Sequence, residues 1–199
     1  MTACLLVGGE GTRVAHLTGG HPKCYMSVAG RPWIEWVVDN LESGGIDHIV
    51  LAEDPYGTGG AVKSLLHLLP AEGFFVLNGD TYLPHVDYQR VWDTFTTSRK
   101  SGCMMVYPHY AGNTSCIVGH VFWYEKGGTQ GMWTDCGGIY TPALWEGTPP
   151  TPTPFDMEVV IQKAIHRDSL ESYKLWYQPY EVGSPEGLLK TEAYLESLH

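Results

Sequence analysis

The short apolar run Ala3-Cys4-Leu5-Leu6-Val7 breaks abruptly into Gly8-Gly9-Glu10-Gly11-Thr12-Arg13, and no other stretch constrains the fold of these 199 residues as much. The run reads as a first strand. A glycine-bearing turn directly behind it exposes backbone N–H groups, which suits phosphate. The pattern is not a Walker A loop, because no Gly-Lys-Ser/Thr follows. Nor is it a dinucleotide fingerprint, because Val14 stands where the third glycine should be. Glycines alone are a weak signal, since tight turns use them for steric reasons. Arg13 and Lys23 strengthen it: two cations near a glycine cradle are what a polyphosphate needs.

Behind this junction, strand and helix patterns alternate. Pro32 suits a helix start, Trp33, Ile34, Val37, Val38 and Leu41 fall on one stripe, and Gly44-Gly45 stop it. Residues 46–52 read as a strand, 58–69 as a helix ended by Pro70, and 73–77 as a buried strand leading to Asn78-Gly79-Asp80. Residues 86–99 read as a helix with Val91, Trp92 and Phe95 facing in, and 103–107 as a strand. This order predicts an α/β fold, a mostly parallel sheet flanked by helices, with its chemistry at the carboxyl ends of the strands. The Gly8 turn and Asp80 both occupy such ends. Further on, 116–124 and 133–140 read as strands, antiparallel at least in part, and 148–154 as a rigid proline-rich loop. Residues 155–166 read as a helix, 174–182 as a last strand and 185–198 as a closing helix. No repeat or clean boundary divides the chain, so residues 1–199 read as one domain whose character shifts after residue 110.

Composition narrows the class. Twelve Lys and Arg against 22 Asp and Glu leave a formal charge of −10, which disfavours sequence-nonspecific nucleic-acid binding. No apolar run approaches the ~20 residues that span a bilayer. The amino terminus lacks a basic segment and reads as a first strand, not a signal peptide. Five cysteines without a Cys-x-x-Cys spacing support neither a disulfide framework nor a zinc site and fit a reducing cytoplasm.

Eight motifs occur in a telling order: GGEGTR at 8–13, Pro22-Lys23, Gly30-Arg31-Pro32, Gly57-Thr58-Gly59-Gly60-Ala61, Asn78-Gly79-Asp80, Glu125-Lys126, Asp135-Cys136-Gly137-Gly138-Ile139-Tyr140 and Glu181-Val182-Gly183-Ser184-Pro185-Glu186. This order resembles the sugar-phosphate nucleotidyltransferases, and it covers nearly the whole chain. The resemblance implies a Rossmann-like sandwich, with 1–110 as its nucleotide-binding part and 111–199 as its sugar-phosphate-binding part. It also implies a reaction in which a sugar 1-phosphate attacks the α-phosphorus of a nucleoside triphosphate and pyrophosphate leaves. By the same resemblance, Val7, Gly8, Gly9, Gly11 and Thr12 wrap the triphosphate, Arg13 neutralises the leaving pyrophosphate, and Lys23 bridges the α-phosphate and the incoming phosphate. Gly59 and Gly60 approach the base. Asp80 and Glu181 hold Mg²⁺. Lys126 grips the sugar phosphate, with Asn78, Glu125, Gly137 and Gly138 near the sugar. The Gly57–Ala61 and 28–32 segments look most like the mannose- and heptose-1-phosphate guanylyltransferases, which favours GTP over UTP or CTP.

The chain departs from the family's pattern in three places. A helix and strand are missing after Ala52, so the sheet is expected to be one strand smaller, or 46–52 to serve both roles. Cys24 follows Pro-Lys where a proline is common and reads as packing, with a reactive thiol as the alternative. Glu181 stands in place of the usual aspartate. The missing segment also motivates a second reading, a non-catalytic nucleotide- or sugar-phosphate-binding relative. Among the tryptophans, 123, 133 and 145 flank the sugar-side motifs, where one could stack on a sugar ring. Oligomeric state is not legible.

Overall fold

The computed structural model describes residues 1–8, 23–53, 56–108, 114–118, 120–127 and 132–198, without the side chains of 114–118, 120 and 122. Strand β1 (Thr2–Leu6) runs through the middle of the main sheet, parallel to β4 (His48–Ala52) on one side and β5 (Phe74–Asn78) on the other. Ala3, Cys4 and Leu5 are fully buried, as an unbroken apolar run in a covered parallel strand requires. Beyond β5 lie β10 (Trp133–Tyr140), β7 (Gly102–Pro108) and β11 (Leu170–Lys174). Strand β10 is antiparallel to both neighbours and β11 is parallel to β7, so β4, β1, β5, β7 and β11 all point one way. Strands from both halves of the chain therefore form one sheet, whose carboxyl edge carries Gly8, Asn78 and the start of β10.

Helices cover both faces. On one side, α1 (Trp33–Ser43), α3 (Tyr88–Ser98) and α5 (Pro185–Glu196) bury Trp33, Val91, Phe95 and Leu195 against the odd-numbered residues of β1. On the other, α2 (Gly57–Ser64) and α4 (Met157–His166) bury Val62, Val160 and Ala164 against Cys4 and Leu6. The period-2 alternation of β1 thus feeds two separate cores.

Several expected elements shift for local reasons. In α1 the buried stripe is Trp33, Trp36, Val37 and Leu41, and Pro32 sits just before the helix, ending β3 (Arg31–Pro32), which pairs with β2 (Ser27–Val28). Trp36 is held by its indole N–H, which donates to Val28 O at 2.9 Å. The expected 58–69 helix is α2 followed by a 3-10 turn (Leu66–Leu68), and Leu69 is extended because it precedes Pro70. The strand expected at 116–124 is a pair, β8 (Thr114–Val118) and β9 (His120–Glu125), antiparallel to each other. The strand expected at 174–182 resolves into β11 and the short β12 (Tyr180–Glu181). Between them lies Pro179, which has no N–H for a ladder. Strand β12 pairs instead with β6 (Thr81–Tyr82). At Ala52 the chain leaves β4 and by Gly57 is already in α2. Among the described residues β4 is the outermost strand on that side, so the sheet ends where the sequence lacks a helix and strand.

Candidate active site

The site grows from the carboxyl ends of β1 and β5. The N–H groups of Val7 and Gly8 both donate to Ala52 O, at 3.0 and 3.3 Å, which ties the exit of β1 to that of β4. Gly79 N donates to Leu6 O at 2.9 Å, and a Cβ on Gly79 would lie 2.8 Å from that same oxygen. Only glycine lets the turn after β5 approach β1 this closely. From the other side, the buried indole N–H of Trp33 donates to Gly79 O at 2.7 Å. Asp80 therefore stands on a turn clamped between β1 and α1.

Three charged residues from distant parts of the chain meet there. The Lys23 ammonium donates to Asp80 Oδ2 at 2.8 Å, with Lys23 16% and Asp80 39% exposed. The β6–β12 ladder sets Glu181 opposite Thr81, and Val182 N donates to Asp80 O at 3.1 Å. A Cβ built on Gly183 would lie 2.8 Å from Glu181 Oε2, 3.2 Å from Lys23 Nζ and 3.5 Å from Asp80 Oδ2. Gly183 is thus the floor on which the three groups converge. Glu181 also organises the start of α5: its oxygens accept from Gly183 N and Ser184 Oγ, both at 2.5 Å. Ser184 in turn caps the helix by accepting from Gly187 N at 3.0 Å. The neighbouring Cys24 is buried, and desolvation pushes its thiol above its ordinary value.

The donor set suits magnesium. Mg²⁺ takes one or two carboxylates and fills the rest of its shell with water and substrate phosphates. Asp80 accepts from Lys23 and Thr81, and Glu181 from Gly183 and Ser184. A carboxylate has about four lone-pair sites, so both retain acceptor capacity for a cation. Among the described residues no cluster of three or more His, Cys, Asp or Glu forms a separate metal cage.

A second cluster gathers around Lys126, just past β9. Its ammonium meets Asp156 Oδ2 at 2.5 Å, and this hydrogen bond is the main cause that holds the Asp156 carboxyl below its usual range. Both partners are nearly half-exposed, so the pair contributes only about 0–1 kcal/mol. A small cavity of about 80 Å³ brings together Leu6, Thr58, Asn78, Lys126, Asp135 and Gly137. Asn78 borders Lys126 here, and two residues later Asp80 meets Lys23; the short β5 turn joins the two clusters. Glu125 ends β9, in register with Thr114.

Of the remaining expected residues, Gly137 lines the same small cavity, and Gly59, Gly60 and Gly138 pack against the chain itself. The N–H groups of Gly59 and Gly60 both donate to Phe155 O at 3.0 Å. A Cβ on Gly59 would strike the Phe155 ring at 2.7 Å. Gly138 is wedged against β7, 2.4 Å from Cys103 O for an added Cβ, and Gly137 adopts a left-handed φ of +87°. Trp145 is buried, with its N–H donating to Gly59 O at 2.9 Å, so it is a core residue. Gly9, Gly11, Thr12 and Arg13 lie outside the described residues.

One site residue went unread in the sequence. The register of β10 on β7 slips between Asp135 and Gly138. This bulge turns Asp135 inward, where Oδ1 accepts from Gly137 N at 2.8 Å and Oδ2 from the Tyr124 hydroxyl at 3.2 Å. Desolvation pushes its carboxyl up to about 6. A carboxylate two residues before the glycine pair was the available signal, but its direction depends on the bulge.

No protein-family model matches the chain. Curated relatives do. A D-glycero-alpha-D-manno-heptose 1-phosphate guanylyltransferase from Campylobacter jejuni is 30% identical over 41% of this chain and 48% of its own length. An N-acetylmuramate alpha-1-phosphate uridylyltransferase from Neisseria meningitidis is 26% identical over 74% of this chain and 78% of its own. The match spans about half the length of the first relative. Among solved structures, HddC from Yersinia pseudotuberculosis complexed with GMP-PN superposes with a TM-score of 0.78 at 21% identity, over 98% of this chain and 99% of that one. A UTP-bound UGPase from Acinetobacter baumannii gives 0.78 at 20% identity, over 100% and 94%. At these identities the solved structures speak to the fold. In fold the chain is similar to the solved nucleotidyltransferases, and in sequence it is similar to curated guanylyl- and uridylyltransferases of sugar 1-phosphates.

Proposed function

We propose that this protein transfers a nucleotidyl group from a nucleoside triphosphate, GTP by preference, to a sugar 1-phosphate, giving a nucleoside-diphosphate sugar and pyrophosphate. The observation that carries this reading is the convergence of Lys23, Asp80 and Glu181 on Gly183, one short turn from the Asn78–Lys126 cavity. A cation beside two carboxylates suits a reaction between two anions, where charge must be balanced as it shifts. An oxygen of the sugar phosphate forms a bond to the α-phosphorus, and the bond from that phosphorus to the β-phosphate oxygen breaks. Pyrophosphate carries away the electron pair. Positioning and charge neutralisation provide the rate.

Lys23 lies between the α-phosphate and the incoming phosphate, exchanging part of its bond to Asp80 for them. Lys126 exchanges its weak pair with Asp156 for the sugar phosphate. Gly8, followed by Gly9, Gly11 and Thr12, wraps the triphosphate, and Arg13 attends the leaving group. Asp80 and Glu181 would hold Mg²⁺, which would supply screening between the two phosphate-bearing reactants. The guanine preference rests on motif likeness and on the guanylyltransferase among the relatives; the uridylyltransferase keeps UTP in the test. Among the described residues no helix is long and apolar enough to cross a membrane.

Pyrophosphate release tests the reading. Purified protein with Mg²⁺ is given each common nucleoside triphosphate with mannose, glucose, N-acetylglucosamine and heptose 1-phosphates in turn. Release that needs one triphosphate and one sugar phosphate is expected. Silence across the grid, with a triphosphate still raising Tm, would favour the binding-module reading. Lys126→Ala is expected to raise KM for the sugar phosphate about 10- to 100-fold, the worth of a charge-assisted hydrogen bond, with little change in KM for the triphosphate. Equal damage to both would remove Lys126 from the sugar-phosphate side.

A further inference from the structure

Lys126 stands at the end of a hairpin that has few ties to the sheet. Strand β9 pairs with β8, and among the described residues β8 pairs with β10 only at Trp133 and Thr134. The bond from Lys126 to Asp156 is half-exposed and contributes little. Where the ammonium stands therefore depends on what fastens the end of β9.

Two hydrogen bonds do so, both at Tyr124. Gln162 Nε2, on α4, donates to Tyr124 O at 2.8 Å. The Tyr124 hydroxyl donates to Asp135 Oδ2 at 3.2 Å, which reaches across to the bulge in β10. Tyr124 is 4% exposed, so packing fixes its ring as well. Side chains two apart on a strand share a face, and Tyr124, Lys126, Asp135 and Gly137 all border one cavity.

Asp135 holds the other side. Its Oδ1 accepts from Gly137 N at 2.8 Å, inside the bulge. A Cβ on Gly137 would lie 2.6 Å from Val76 O, so the bulge rests directly on β5, two residues before Asn78. An ionised carboxylate only accepts, and here it serves both donors at once. Both oxygens are engaged by the chain itself. One side chain thus joins the hairpin that carries Lys126 to the strand that carries Asn78 and leads to Asp80.

We propose that Asp135 and Tyr124 are positioning residues for the reaction: their hydrogen bond fixes the end of β9 against the β10 bulge and so sets where Lys126 stands relative to the β5 turn. The phosphate that Lys126 holds is thereby placed for attack on the α-phosphorus. Small misplacements count in such a reaction, because its rate depends on near-attack geometry. The inference rests on the nucleotidyltransferase reading above, and within it on Lys126 meeting the sugar phosphate.

The test reads kcat/KM for the sugar phosphate, KM for the triphosphate and Tm. The variants are Tyr124→Phe, Asp135→Asn and Asp135→Ala, each alone and combined with Lys126→Ala. Tyr124→Phe keeps the buried ring and removes the hydroxyl. It is expected to lower kcat/KM for the sugar phosphate about 3- to 10-fold, the worth of one hydrogen bond, with KM for the triphosphate unchanged. Asp135→Ala removes both bonds and is expected to lower it about 10- to 100-fold. Asp135→Asn is close to isosteric: its carbonyl still accepts from Gly137 N, and its amide can donate to the Tyr124 oxygen. It is expected to stay within about threefold of wild type. In the Lys126→Ala background Tyr124→Phe is expected to cost no further kcat/KM, although it lowers Tm as much as it does in wild type. A merely structural role would cost the same with or without Lys126.

Each outcome decides something. A Tyr124→Phe enzyme equal to wild type, or one that loses as much without Lys126 as with it, overturns the inference and leaves the nucleotidyltransferase reading standing. An Asp135→Asn enzyme as damaged as a folded Asp135→Ala also overturns it, because the carboxylate would then be meeting a ligand itself. If Asp135→Ala fails to fold, the comparison of Tyr124→Phe with and without Lys126 decides. No pyrophosphate from any sugar phosphate overturns the broader reading, and the inference falls with it.

Discussion

Asp80→Asn is expected to abolish pyrophosphate release while leaving the fold in place. The substitution keeps the side chain's shape and an oxygen for the Lys23 ammonium, which meets Asp80 Oδ2 at 2.8 Å. It removes the charge. At 39% exposure the carboxylate is only partly shielded, so the lost ion pair costs about 1 kcal/mol or less, a shift of a few degrees in Tm. The turn itself is held by groups the change does not touch, the Trp33 indole on Gly79 O and Gly79 N on Leu6 O. The catalytic cost is of another order. If Asp80 and Glu181 hold Mg²⁺, a neutral amide is a far poorer ligand for a hard cation. Losing charge screening between two phosphates removes several kcal/mol of transition-state stabilisation, about 10³-fold or more in kcat. The measurement is kcat against Mg²⁺ concentration, beside Tm and the thermal shift given by triphosphate. Turnover near that of wild type would sink the metal role of Asp80.

The parts of this molecule that were readable in the sequence are those that depend on neighbours a few residues away. The β1 run is apolar throughout and reads as a strand, and Phe95 and Val91 mark the inner stripe of α3. Gly45, at φ +86°, ends the chain's exit from α1 as the paired glycines suggest. The misread parts depend on pairing across the chain. Residues 116–124 are apolar and aromatic enough to read as one strand, and only the pairing of β8 with β9 makes them two. Glu181 was recognisable as an acid near a strand end. That the strand is a two-residue ladder on Thr81–Tyr82, placing Glu181 beside Asp80, is a contact across 100 residues. The Lys126–Asp156 bond is similar: Asp156 reads locally as part of a helix over 155–166, whereas it stands just before α4 and reaches Lys126 across 30 residues. Asp135 is the instructive case. Its identity was visible, but its inward direction follows from a register slip against β7, and local pattern carries no record of that slip.

The second large effect is expected at Lys23. Lys23→Met keeps the length of the side chain and removes its charge, so that the Asp80 and Glu181 carboxylates converge on Gly183 without the ammonium that now lies 3.2 Å from the Cβ position there. Two consequences follow, and they separate in measurement. The carboxylates repel one another, so the variant is expected to be less stable, and Mg²⁺ is expected to restore more Tm to it than to wild type. The reaction loses a fixed positive group aimed at the phosphates, and removing one such preorganised partner costs about 10²- to 10³-fold in kcat. Lys23→Arg separates structure from chemistry. Arginine keeps the charge and the ion pair to Asp80, so Tm is expected to recover. Its guanidinium is a planar fork in place of a compact point charge, so kcat is expected to stay well below wild type. If Lys23→Met turned over normally, the lysine would be only a counter-ion for Asp80. If Lys23→Arg restored kcat along with Tm, the site would need charge alone, and the assignment of Lys23 to a defined place between two phosphates would fail.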